Sequence, residues 1–231
     1  MKKLSPLLLC VLLAACAGKP DSDTAANTES KKQTPQTSEQ QPPQGPVTPK
    51  GEFARIDVSR SQQAMDDIAA GKADTINTIL QDPNSYAPPV LYLMSAIMFD
   101  NDYEDQGTFW YYVAQLRARS DANKSGDNTT HAAVSQLNKQ FGVRIGPHSM
   151  GNPDRLQAIV NQVLQWDSEQ IRDYDPRWIA LQGRDVATET TIDFAPEAKW
   201  QEINALTRNQ YRQGLEQALA EIREKQAEQA K

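Results

Sequence analysis

Two groups of side chains in this 231-residue chain have the types and spacing for chemistry. Asp173, Asp175 and Asp185 surround Trp178, and a carboxylate pair beside an aromatic ring can do general acid and base work in a glycan cleft. A local alternative is equally concrete: Asp175-Pro176 is how a helix starts, with the aspartate as N-cap. Arg117, Arg119, Asp121 and Asn123 form the second group, flanked by Trp110, Tyr111 and Tyr112. Tyr, Trp and Arg dominate binding hot spots, which makes Trp110, Tyr111, Tyr112, Arg117, Arg119 and Asp121 candidate partner-binding residues. The competing reading is a structural network that fixes the helix end and the next loop. In either case Arg117 and Asp121, four apart, can pair on a helix for a few tenths of a kcal/mol. His131 and His148 are the only histidines and lie far apart in sequence, with no nearby cysteine and no His-Glu pair at helical spacing. A metal centre needs three or four converging ligands, so neither metal nor cofactor is expected. Ser149 beside His148 makes no triad by itself. Nucleophile elbow, phosphate loop and dinucleotide fingerprint are all missing from the sequence.

These residues need an address. Lys2 and Lys3 precede an apolar stretch from Leu4 to Leu13, and Leu13-Ala14-Ala15-Cys16 closes it with small residues beside a cysteine. The stretch is too short to span a bilayer, which takes roughly 20 apolar residues. Leu13-Ala14-Ala15-Cys16 resembles the lipobox of bacterial lipoproteins. That resemblance implies removal of residues 1–15 as a signal peptide and acylation of Cys16 on its sulfur and new amino terminus. An ordinary signal peptide cut at a nearby small residue is the alternative. Ala17, not Asp, follows the cysteine. By resemblance to sorting rules in enteric-type bacteria, this implies a lipid-anchored protein of the outer membrane whose domain faces the periplasm. Several acyl chains would hold it durably where one anchors only marginally.

Charge and cysteine content narrow the function further. Cys10 lies in the leader and Cys16 would carry lipid, which leaves no thiol for a disulfide or a cysteine metal site. Across the chain 24 Lys and Arg face 30 Asp and Glu, and removing Lys2 and Lys3 leaves 22 against 30, a net of −8. That balance argues against nucleic acid and suits solubility or a basic partner.

Residues 16–51 carry Pro20, Pro35, Pro42, Pro43, Pro46 and Pro49 among Ser, Thr, Gln and Lys, with almost nothing apolar. Such a segment cannot bury enough surface to offset its chain entropy and reads as a disordered tether, with an r.m.s. span of roughly 30–35 Å. Residues 52–222 hold the apolar content for one domain, and 223–231 form a polar tail expected to fray.

Within the domain the apolar periodicity is helical, and the fold class expected is all-α: helical hairpins in an irregular bundle or short solenoid. Ile56, Met65, Ile68 and Ala69, then Ile76, Ile79 and Leu80, predict two short helices broken near Gly71 and stopped at Asp82-Pro83-Asn84. Pro88-Pro89 opens a nearly all-apolar run to Phe99, a buried helix or a buried strand pair. Asp105–Asp121 follows as a second helix. Small Ser95, Gly107 and Ala114 would let the two approach, with Leu91 beside them and Tyr111 filling the groove. At these residues, 88–121, the chain resembles a tetratricopeptide-type or Sel-like repeat, although no second copy follows and Leu91 stands where the family places a tryptophan. The stretch Phe109–Asn123 is also similar to segments of Gram-negative lipoproteins.

Further helices are expected over Thr130–Phe141, capped by Gly142 before an extended or turning Val143–Pro147, then from Asn152-Pro153-Asp154, and over Pro176–Val186. From Pro196 a long helix should present Trp200, Ile203, Leu206, Tyr211, Leu215, Ala218, Leu219 and Ile222 as one stripe. Thr207 and Gln210 interrupt that stripe, which favours docking on its own domain over a coiled-coil partner. Function is expected to be non-enzymatic: a tethered protein-binding module, in a sharper form an immunity protein against a periplasm-acting toxin. An envelope enzyme or peptidoglycan-modifying factor using Asp173 and Asp175, and an envelope assembly accessory, are the alternatives.

Overall fold

Proline and glycine punctuate the chain where its helices begin and turn. A computed structural model describes residues 47–229, and the fold there is all-α, with a single isolated antiparallel bridge between Ser125 and Phe194. The leader, Cys16 and most of the tether fall outside the described residues. No described helix is long and apolar enough to cross a membrane.

Helices α1 (Ser59–Ala69) and α2 (Thr75–Gln81) are separated at Gly71, whose φ of +72° is the left-handed conformation glycine adopts without strain. Pro88 and Pro89 sit in the first turn of α3 (Pro88–Asp100), and α4 (Glu104–Ala122) returns antiparallel to it. The apolar run to Phe99 is therefore helix, not a strand pair. Gly107 explains the tightness of the hairpin. A Cβ at that position would lie 2.7 Å from the Phe99 nitrogen and 2.8 Å from the Ser95 oxygen, so the two backbones touch as the small residues predict. Tyr111 behaves differently from expectation: its ring meets Tyr92 edge-on at 5.7 Å, and its hydroxyl donates to the Asn138 carbonyl on the next helix. It fills the junction of three helices and not the α3–α4 groove alone.

The next helix overturns a predicted boundary. Helix α5 runs unbroken over Thr130–Met150, through Gly142 and Pro147. Gly142 is no cap; a Cβ there would run into the Tyr111 hydroxyl, so the glycine serves side-chain packing. Pro147 is tolerated for two reasons. Gly146 lacks the Cβ that contributes to the clash disfavouring helix before a proline, and the carbonyl that loses its donor belongs to Val143, 70% exposed and open to water. Buried Ile145 and Ser149 then hold the second half of the helix on the core.

Helix α6 (Pro153–Glu169) starts at Asn152, whose side chain accepts from the Arg155 amide at 3.0 Å, and buries Leu156, Ile159, Val160, Val163 and Leu164. The single helix expected over Pro176–Val186 is instead a 3-10 segment, Pro176–Gln182, and a one-turn helix α7, Asp185–Thr188. The break at Gly183 arises because the amides of Arg184 and Asp185 bond to the Thr129 hydroxyl and the Asp127 carboxylate.

Helix α8 (Trp200–Gln229) follows a short 3-10 turn and docks on its own domain, antiparallel to α6. Its inward stripe is shifted from the apolar one. Asn204 and Thr207 are buried while Leu206 is 55% exposed, since α8 faces a polar patch on α4. The helix continues past Ile222, and Arg223 donates to Asp154 and Gln157 of α6. α4 is the centre of the bundle, with α3, α5, α6 and α8 packed around it over Val113, Leu116, Val160, Ile145 and Leu219. The chain enters this body at Gly51 and Glu52. The Glu52 amide donates to the Thr190 carbonyl, and its carboxylate accepts from the Ile192 amide.

Candidate functional site: a buried ion network and the groove beside it

Where α4 ends, charged side chains converge from four parts of the chain. Asp167 on α6 is the hub: Oδ1 accepts from Arg117 Nε at 2.9 Å, and Oδ2 accepts from Arg172 at 2.9 Å and from Arg208 of α8 at 3.0 Å. Asp121 is the second anion. It accepts from Lys124 Nζ at 2.7 Å, the Tyr174 hydroxyl at 2.9 Å and the Trp178 indole at 2.9 Å. Arg117 also donates to Asn84 at 2.7 Å and lies 4.8 Å from the Trp166 ring centroid. Asn204 accepts from Ser120 at 2.6 Å and Arg172 at 3.2 Å, while Asn123 donates to Thr207 at 2.9 Å. These bonds seat α8 on α4.

The network lies out of water, which sets its electrostatics. Burial alone would raise the Asp167 carboxyl, but Arg172 and Arg117 outweigh it and hold the group well below the usual carboxylate range. Burial lowers Arg117 and Lys124 from their ordinary values. For Arg172 burial is opposed by Tyr174, Asp167 and Asp121, and its pKa is raised. Four cations, Arg117, Lys124, Arg172 and Arg208, thus meet two carboxylates, Asp121 and Asp167. The network carries a positive surplus, and Arg117 Nη1 is buried with no hydrogen-bond partner.

The residues expected to form a binding patch are placed mostly inside. Trp110, Tyr111, Arg117 and Asp121 are buried, Tyr112 is half-buried, and only Arg119 is exposed, its guanidinium 5.5 Å from the Tyr211 ring centroid. Arg117 and Asp121 belong to one network but do not pair; each finds a partner from distant sequence. Asp167, Arg172, Arg208, Lys124 and Asn204 escaped the sequence reading. For Asp167 a signal existed, because a carboxylate sat in step with Val160, Val163 and Leu164 on an inward face. Arg172 lies in a loop and had none.

The carboxylate group divides. Asp173 and Asp175 line a common cavity of about 200 Å³ with Asp57 and Arg60, whereas Asp185 faces Asp127 elsewhere. Burial and the Asp127 charge raise Asp185 from its ordinary value. Asp175 is the N-cap foreseen, accepting from the Arg177 amide at 2.9 Å and from the Arg177 guanidinium through both oxygens. Asp173 accepts weakly from Ser85 at 3.4 Å. Trp178, the aromatic expected among them, donates to Asp121. His131 is exposed, and His148 stands 3.7 Å from Glu104. Among the described residues no three His, Cys, Asp or Glu side chains gather as metal ligands. Beside the network, α6 and α8 border an open groove of about 600 Å³. Compared with protein-family models, curated proteins and solved structures, the chain matches none.

Proposed function

We propose that this chain is a lipid-anchored envelope protein whose helical domain binds another protein and does no chemistry of its own. The observation that carries the reading is the engagement of the reactive groups by the fold: Arg117, Asp121, Asp167 and Arg172 lock one another in the bundle, and Asp175 is forked by Arg177. A bundle cross-tied in this way is a preorganised surface, and preorganisation lowers the ordering cost of association. Its outward faces carry large apolar side chains, Tyr103 and Val143 among them. The address comes from Leu13-Ala14-Ala15-Cys16, whose lipobox resemblance implies an outer-membrane anchor with the domain in the periplasm.

Cross-linking in intact cells followed by capture of the tagged full-length protein tests the reading. A reproducible protein partner is the expected result, and capture of none refutes it. An immunity protein against a periplasm-acting toxin is the sharper form, supported by the acidic chain. Deleting the gene should then sensitise cells to their siblings, and a deletion strain as resistant as its parent would remove that form. Partner identity separates it from an assembly accessory, which would bring down other envelope lipoproteins.

A second reading rests on the cavity that Asp173 and Asp175 share: an envelope enzyme or peptidoglycan-modifying factor. Asp173→Asn and Asp175→Asn should alter the muropeptide profile if it holds. Unchanged muropeptides at normal protein level would remove it.

A further inference from the structure

The groove between α6 and α8 is the one large concavity lined by arginines and free of carboxylates among those described. Positions 161, 164, 165 and 168 on α6 face 205, 208, 209 and 212 on α8, one helical stripe against another. Asn161, Gln165, Ser168 and Asn209 offer amides and a hydroxyl around Arg208 and Arg212, over a floor that includes buried Leu164. In an acidic chain this is a local reversal of sign.

The buried network supplies the second observation. Arg208, 17% exposed, is both a network member and a groove wall: one Nη donates to Asp167, and its other nitrogens have no partner among the described residues. Behind it Arg117, Lys124 and Arg172 leave the network with more cations than anions, and Arg117 Nη1 has no acceptor. A surplus of partly desolvated positive charge is stabilised by a counter-anion, and the groove is where that surplus meets solvent.

We propose that this groove binds an acidic stretch of a partner polypeptide through Arg208 and Arg212. The dimensions favour polypeptide over a small ion. Asn161 to Ser168 covers roughly 10 Å of helix, the length of about three extended residues. The amides flanking the arginines can donate to and accept from a peptide backbone, while a lone phosphate would leave most of the cavity unfilled. Arg208 arrives pre-oriented by Asp167; Arg212, exposed and outside the ion pairs among the described residues, adds the second guanidinium.

The inference rests on the protein-binding reading and names the chemistry of its partner. The full-length protein in neutral detergent is titrated at low salt into fluorescein-labelled hexaglutamate, read by anisotropy. Binding is expected, with Arg212→Glu weakening it at least tenfold and Lys139→Glu, on α5, changing it less than twofold. Hexaglutamine should not bind, and neither inorganic phosphate nor glycerol phosphate, the soluble headgroup of an anionic lipid, should displace the peptide at matched charge. Arg208→Gln should weaken binding too; circular dichroism reports its fold, and Arg212→Glu decides the question alone if that variant unfolds. Hexaglutamate binding untouched by Arg212→Glu, or equal displacement by inorganic phosphate or glycerol phosphate, overturns the proposal. The envelope cross-linking, repeated with Arg212→Glu, keeps the two claims apart. A partner still captured at wild-type yield removes this groove and leaves the binding reading intact, whereas a wild-type chain that captures nothing removes the reading.

Discussion

Asp167 ties three parts of the fold together, since three guanidiniums from α4, α8 and the loop after α6 end on its two oxygens. Removing one partner of a buried ion pair costs about 3–5 kcal/mol, because the remaining charges stay out of water unpaired. Asp167→Asn should lose that much in urea unfolding at neutral pH. The sign of the pH dependence follows from the lowered pKa. With the folded value below the unfolded value of about 3.9, the stabilisation is fully present above it and is lost as the pH falls toward the folded value. The gap between wild type and Asp167→Asn should therefore narrow as the pH is taken from about 6 down through the unfolded value. A constant gap would detach Asp167 from the acid limb of stability. The sequence marked Arg117 and Asp121 as groups with directed bonds but paired them with each other at i,i+4, whereas the local pair that forms is Asp121 with Lys124 at i,i+3. Arg117 pairs with Asp167, 50 residues away, and Asp121 accepts from Lys124, three residues on, as well as from Tyr174, 53 residues away.

At the scale of elements, helical periodicity and proline-glycine punctuation located most helices, and the boundary missed in α5 has one cause: residues that break isolated helices are kept helical by packing. Gly142 and Pro147 read as a cap and a breaker, yet Ile145 and Ser149 pull the segment between and around them into the core. Pro147 still removes a backbone bond, so Pro147→Ala should stabilise the chain by about 1–3 kcal/mol, raising its melting temperature by several degrees. No gain in a thermal melt would argue for a role of the proline in holding α5's course. Gly107 is the opposite case, read correctly from its small size. Gly107→Val must push α3 from α4 and should cost about 1–3 kcal/mol through overpacking, measured by urea denaturation. The α8 stripe was displaced because Asn204 and Thr207 bury against polar partners on α4, which an apolar count cannot see.

Across the whole molecule, the proposed tethered binder joins an anchor and a span of polar chain, both argued from the sequence alone, to the helical body. The proposed anchor predicts that the wild-type protein incorporates labelled palmitate and Cys16→Ser does not; label retained by the variant would refute lipidation at that residue. All-α class was legible because helical periodicity is local, while the position of α4 at the centre was not, because it depends on which faces meet. The most direct test of protein binding through the α6–α8 groove places a photo-crosslinking residue at Asn209, in that groove, and separately at Lys139 on α5, in the full-length protein in living cells. The account predicts one discrete protein adduct from position 209 and none from 139; no adduct from 209, or the same adducts from both positions, would contradict it.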